Sequence, residues 1–172
     1  VNTYAGGTSV AAGTLQVASN SAVGTGAVAL DGGVFQSGAA GLSLANAFVI
    51  GTTSATIDTQ ANTLTLSGGI SDVTGSSGGL TKIGSGTLVL SGASSYTGAT
   101  NLNAGTLQAG AANVFAAQSP FNLASGTVLD LNGFSETLGS LAGAGNITLA
   151  AGTLTAGGNN ASTTYSGTMS GS

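Results

Sequence analysis

The stretch GGLTKIGSGTLVLSGASSYTGAT, residues 78–100, carries Lys82, the only basic residue in a chain of 172. Its centre, GTLVLSG, alternates strictly. In an extended strand Leu88 and Leu90 point to one side, and Thr87, Val89 and Ser91 to the other. The same period of two appears in NTLTLSG, which turns Leu64 and Leu66 inward and Thr63 and Thr65 outward. In VLDLNG the register that buries Leu129 and Leu131 leaves Asp130 outside, and it is the only one that keeps the carboxylate in water.

Working outward, a Gly-Thr-aliphatic signal opens such runs at Gly13, Gly86, Gly105, Gly126 and Gly152. From Gly86 onward each signal follows the last at about the length of one solenoid coil, a spacing that marks stacked repeats. Helix is a poor alternative, because glycine interrupts every helical pattern within a turn and costs about 1 kcal/mol there relative to alanine. One short helical turn is expected in AANVFAAQ, residues 111–118. Turn pairs at Asp31, Asn132 and Gly157 supply left-handed backbone positions. Short strands on coils of roughly 20 residues predict an all-β fold, a right-handed parallel β-helix, with the hand following the usual crossover preference. At about 4.8 Å per coil the chain makes roughly 8 coils, a rod about 40 Å tall. Leu15, Leu88, Leu90, Leu107 and Leu154 are expected to share its core.

Composition narrows the function. Five acids against one base give a net charge of −4, and 41% of residues are hydrophobic, so the chain reads as ordered. With one lysine and no arginine there is no basic footprint for phosphates, which argues against a nucleic-acid partner. Without cysteine there is neither a disulfide framework nor a thiolate metal site. No apolar run is long enough for a membrane-spanning helix.

A longer repeat pairs NTYAGGTSVAAGTLQV, residues 2–17, with SSYTGATNLNAGTLQA, residues 94–109, and YSGTMSG near the C-terminus echoes LSGGISD. The whole stretch GGLTKIGSGTLVLSGASSYTGATNLNAGTLQAG closely resembles the passenger-associated repeat of bacterial autotransporters, GGLTK-x-G-x-G-TL-x-LSG-x-N-TYTG-x-T-x-x-x-x-GTL. Ser94 departs from it, standing where the pattern has Asn. The resemblance implies a β-helical passenger exported by type V secretion and displayed at the cell surface or released. Residues 1–172 are then one segment of a longer passenger. It would contain a complete repeat at about 78–109 and partial ones at about 2–17 and 153–172. The implied partners are neighbouring coils and a C-terminal outer-membrane β-barrel, and the implied role is support of secretion and folding. An adhesin or self-association module, working through the polar faces of the rod or on a host surface or polysaccharide, is the alternative.

The reactive residues are few. Without His or Cys, the Ser-His-Asp and Cys-His systems are excluded. Asp130 and Glu136 have the sequence proximity of a glycosidase pair, but both read as solvated surface acids. A lyase would want clustered Asp and an Arg or Lys base. The Ca²⁺-binding nonapeptide pattern occurs only once and reversed, in LDGG at Asp31, and Asp72 alone in its glycine-rich stretch leaves too few carboxylates for a tight Ca²⁺ site. No catalytic, cofactor or metal residue is assigned. Lys82 is expected to pair outward with a carboxylate on a neighbouring coil, contributing about 0–1 kcal/mol. Tyr4, Tyr96 and Tyr165 read as packing residues over coil edges, and Phe35, Phe48, Phe115, Phe121 and Phe134 as core or cap filling. Thr14, Thr87, Thr106, Thr127 and Thr153 form an outward hydroxyl ladder in this reading, too interrupted for an ice-binding face.

Overall fold

The computed structural model describes residues 1–171; Ser172, the last residue of the C-terminal partial repeat, lies outside the described residues. Alternating apolar and polar residues in runs of three to five give short strands, and glycine and asparagine in left-handed conformations turn the chain between them. Every strand pairing is parallel, and no helix occurs among the described residues. The result is a parallel β-solenoid of about 8 turns. Register partners fix the length of each coil: Thr8 pairs with Val28 in a short one, and Ala55 with Leu80 in a longer one.

Each coil visits three walls. The first wall begins with four strands, from Thr8–Val10 to Ile70–Asp72. The second has seven, from Thr14–Val17 to Ser140–Gly143, and the third has seven, from Leu42–Leu44 to Met169–Gly171. Inward columns run through the registers, and the clearest, on the third wall, stacks Leu42, Leu64, Leu88, Leu107, Leu129 and Ile147. All six are buried, as are Leu66, Leu90 and Leu131. Phe35 and Phe48 meet edge to face at 5.2 Å between ring centres, and Phe115 leans on Phe121 at 5.7 Å. Phe134 is half-buried against this core.

The first wall loses its strands for two coils. Ser95 donates its backbone N–H to the Ile70 carbonyl, and Ser94 donates to Val114, but neither 94–97 nor 113–116 forms a strand. A two-stranded parallel pair, Glu136–Leu138 with Leu154–Ala156, then resumes. The expected helical turn at 111–118 falls in this break. It is replaced by an irregular turn with Asn113 at φ 55°, because Val114, Phe115 and Ala116 must all be buried across it.

The Gly-Thr-aliphatic corners do not lie on one wall. Leu15 faces inward from the second wall, Leu88 and Leu107 from the third, and Leu154 from the late strand pair. Leu15 and Leu154 are only half-buried, each standing near an end of the rod, while Leu88, Leu90 and Leu107 are fully enclosed. The five leucines share one core but not one side. The threonine ladder dissolves for the same reason. Thr63, Thr87 and Thr106 stack on the third wall, Thr14 is on the second, and Thr127 is buried and donates to the Ala124 carbonyl at 2.7 Å.

Candidate functional site

Lys82 does not point to solvent. Its strand, Leu80–Ile83, follows the same alternation as its neighbours, so Leu80 and Lys82 are buried while Thr81 and Ile83 are part-exposed. On the second wall the inward column reads Leu15, Phe35, Ile57, Lys82, Leu102 and Leu123. An ammonium thus stands in a stack of apolar side chains, at 0% exposure. It survives there because protein oxygens take the place of part of its water shell. Nζ donates to Thr59 Oγ1 at 2.9 Å and to the carbonyls of Ile83 at 3.1 Å, Gly84 at 2.9 Å and Ala104 at 3.1 Å. Burial lowers its pKa to about 8, partly opposed by the Asp58 charge. The expected surface ion pair is therefore replaced by an interior brace.

The glycines beside Lys82 explain how the carbonyls reach it. The corners at 59–62, 83–86 and 104–105 stack so closely that a Cβ at Gly84 would meet Gln60 and Asp58, one at Gly86 would meet Asn62, and one at Gly105 would meet the Gly84 and Gly86 carbonyl oxygens. Only glycine permits that approach, and the approach brings oxygens from three coils onto one ammonium.

All five carboxylates accept backbone N–H groups. Asp31 accepts from Thr53, Asp58 from Gln60 and Asp130 from Asn132, at 2.7, 2.8 and 2.8 Å. Asp72 accepts from the Thr97 amide and hydroxyl, both at 2.8 Å. Glu136 accepts from Val114 and Phe115 at 3.2 and 3.0 Å. Asp72 and Glu136 flank the break in the first wall and replace ladder acceptors that the missing strands would have supplied. Glu136 is 1% exposed rather than solvated, and burial raises its pKa against the pull of those amides. Asp130 faces outward from the third wall, bonded to Gln108 at 2.7 Å, whereas Glu136 is buried on the late strand pair. They do not form an acid pair. No group of three or more potential metal-ligating side chains comes together among the described residues.

Tyr96 is also interior, at 1% exposure, and shares a 2.6 Å hydrogen bond with Thr100. Thr100 is bonded at 2.8 Å to Ser119, which donates to the Gly98 carbonyl at 2.7 Å. Tyr4 and Thr8 share an identical 2.6 Å bond four residues apart, although Thr8 lies on the first wall and Thr100 on the second. The unit is a corner module that moves between faces. Two hollows near residues 1–9 are lined by small and polar residues without a charged side chain.

A three-walled parallel β-solenoid, glycine-cornered and braced by an interior lysine, defines a scaffold of stacked coils. The passenger-associated-transport-repeat family matches residues 1–17 and 80–109, the segments that contain the two Tyr–Thr corners and the lysine brace. Over 127 residues the chain is 42% identical to the adhesin BmaC autotransporter of Brucella suis biovar 1 (strain 1330), covering 70% of this chain and 4% of that protein. No solved structure matches it. The chain belongs to the autotransporter passengers that carry the passenger-associated-transport-repeat, and it spans a small fraction of the length of the relative it matches.

Proposed function

We propose that this chain is a non-enzymatic β-helical stalk, one segment of a longer adhesin passenger displayed at the bacterial surface or released from it. The observation that carries the reading is the use of its charges: five carboxylates cap backbone amides and the one lysine braces the interior. Little remains for chemistry on a substrate, while every such bond stiffens a rod. The resemblance to an adhesin supports a role in carrying or spacing an adhesive region. Its partners are then neighbouring coils of the same passenger and the outer-membrane β-barrel that exports it.

The test is made in the secreting cell. Leu88 and Leu107 are direct register partners and both are fully buried. Replacing both with Asp is expected to slow surface appearance, if folding of the coils outside the cell helps prevent backsliding. Asp130→Asn on the outer face is expected to leave it unchanged. Normal export of the double variant would refute the stalk's part in secretion.

A second reading, self-association, draws on uncharged outward rows such as Asn101 with Asn122 and Thr63 with Thr87 and Thr106. Sedimentation of end-capped rods separates the two: a passive stalk stays monomeric.

A further inference from the structure

We infer that Lys82 couples three successive coils, residues 55–109, into a unit that opens and closes together, so that the complete repeat is a stop point in an otherwise coil-by-coil unravelling. Solenoid stability ordinarily accumulates from nearest-neighbour interfaces, each coil holding only the next. Elsewhere one side-chain atom serves one neighbouring coil, as with Asn122 donating to Asn101; Gln36 reaches both ways but through separate atoms, Oε1 accepting from Gln16 and Nε2 donating to Asp58. The Lys82 ammonium breaks it. The same atom touches Thr59 in the preceding coil, Ile83 and Gly84 in its own, and Ala104 in the following one.

The two flanking coils are thereby joined through a third party. If the Ala104 corner lifts away, the ammonium that also holds Thr59 loses one acceptor and is opened to water on that side. If the Thr59 corner lifts, the ammonium that holds the Ala104 carbonyl loses an acceptor in the same way. Among the described residues no backbone donor serves the Gly84 or Ala104 carbonyl, so Lys82 is also what satisfies them. An ammonium short of an acceptor in an apolar surround is costly, and that cost appears on loss of either neighbour. The stacked glycines at Gly84, Gly86 and Gly105 leave no space for a side chain to take over.

Hydrogen-exchange mass spectrometry on the intact passenger tests this. Amides of 55–66 and 100–109 are expected to exchange with common protection. Thr59→Val, which keeps side-chain shape and leaves Lys82 in place, is expected to reduce protection of 100–109 by about ten-fold, the scale of one hydrogen bond to a charged group. Those residues lie beyond the coil next to the substitution. Lys82→Met is expected to reduce protection in both segments, and in that background Thr59→Val should no longer reach 100–109. An effect of Thr59→Val confined to 55–66 overturns the proposal, as does a folded Lys82→Met protein with unchanged protection at 100–109. If Lys82→Met does not fold, the spread of the Thr59→Val effect decides the question alone.

Discussion

Glu136 reaches across a coil boundary to accept the amides of both Val114 and Phe115, at 3.2 and 3.0 Å, from a fully buried position. Glu136→Ala leaves two enclosed donors without an acceptor and should destabilise the rod by about 2–6 kcal/mol, at roughly 1–3 kcal/mol for each orphaned group. Urea unfolding would measure it. A loss no larger than that of an ordinary surface substitution would mean that the amides find other partners.

The same residue imposes a pH dependence. Its pKa is raised by burial, so the folded state binds the proton more tightly than the unfolded chain. Its contribution to stability is therefore full below the ordinary carboxyl range, and falls as pH rises through that range to the raised value. Comparing unfolding free energies between about pH 4 and pH 7, Glu136→Gln should show a flatter profile than the parent chain.

Lys82 works on the alkaline side. Its pKa falls from 10.5 unfolded to about 8 folded. Between these values the unfolded chain holds more protons, so stability rises with pH. The urea midpoint should climb between about pH 8 and about pH 9.5, and Lys82→Met should lose the climb. Above that range the sign turns, because burial keeps Tyr96 protonated when the unfolded phenol ionises.

Two glycines separate backbone strain from corner stacking. Gly126 has φ +82° with open space around its Cβ position, so Gly126→Ala should cost about 1 kcal/mol. Gly105 has φ +68° and faces the Gly84 and Gly86 carbonyl oxygens, so Gly105→Ala adds a steric clash to the strain. It should lower the melting temperature by at least twice as much. Equal shifts would show that the corners do not bear on each other.

Ser94 marks a site open to improvement. Its Oγ and Asp72 Oδ1 are buried without partners, in adjacent coils joined by the Ser95 to Ile70 hydrogen bond. Restoring the residue of the repeat pattern, Ser94→Asn, supplies an amide donor and a carbonyl acceptor where a buried hydroxyl has no partner. A stabilisation of about 1 kcal/mol is expected. A lower melting temperature would show that the break cannot admit the longer side chain.

Most of the architecture was legible in alternation alone. Leu64, Leu66, Leu88, Leu90, Leu129 and Leu131 are inward as their period predicts, and coil-length spacing predicts parallel stacking. Lys82 and Glu136 were misplaced because their charge was given more weight than their position. Yet LTKI puts Lys82 on the side of Leu80, and ETL puts Glu136 on the side of Leu138, so the same alternation holds both signals. What no local reading contains is the compensation: the Thr59 hydroxyl and Ala104 carbonyl that help hold Lys82, and both amides on Glu136, come from neighbouring coils, a full turn of the solenoid away along the chain. The wall assignment of each Gly-Thr corner was hidden for a related reason. Equivalent corners stand on different faces, as Thr8 and Thr100 show, and nothing in their local sequence tells the faces apart.

The sealed lysine has a further consequence for proteolysis. Lys82 is the only residue in the chain after which a trypsin-class protease can cut, and it is enclosed within a paired strand. Such a protease needs an exposed, extended segment, so the folded rod offers it nothing within these 172 residues. Cutting after Lys82 requires the middle of the rod to open first, and a single new fragment boundary would time that opening.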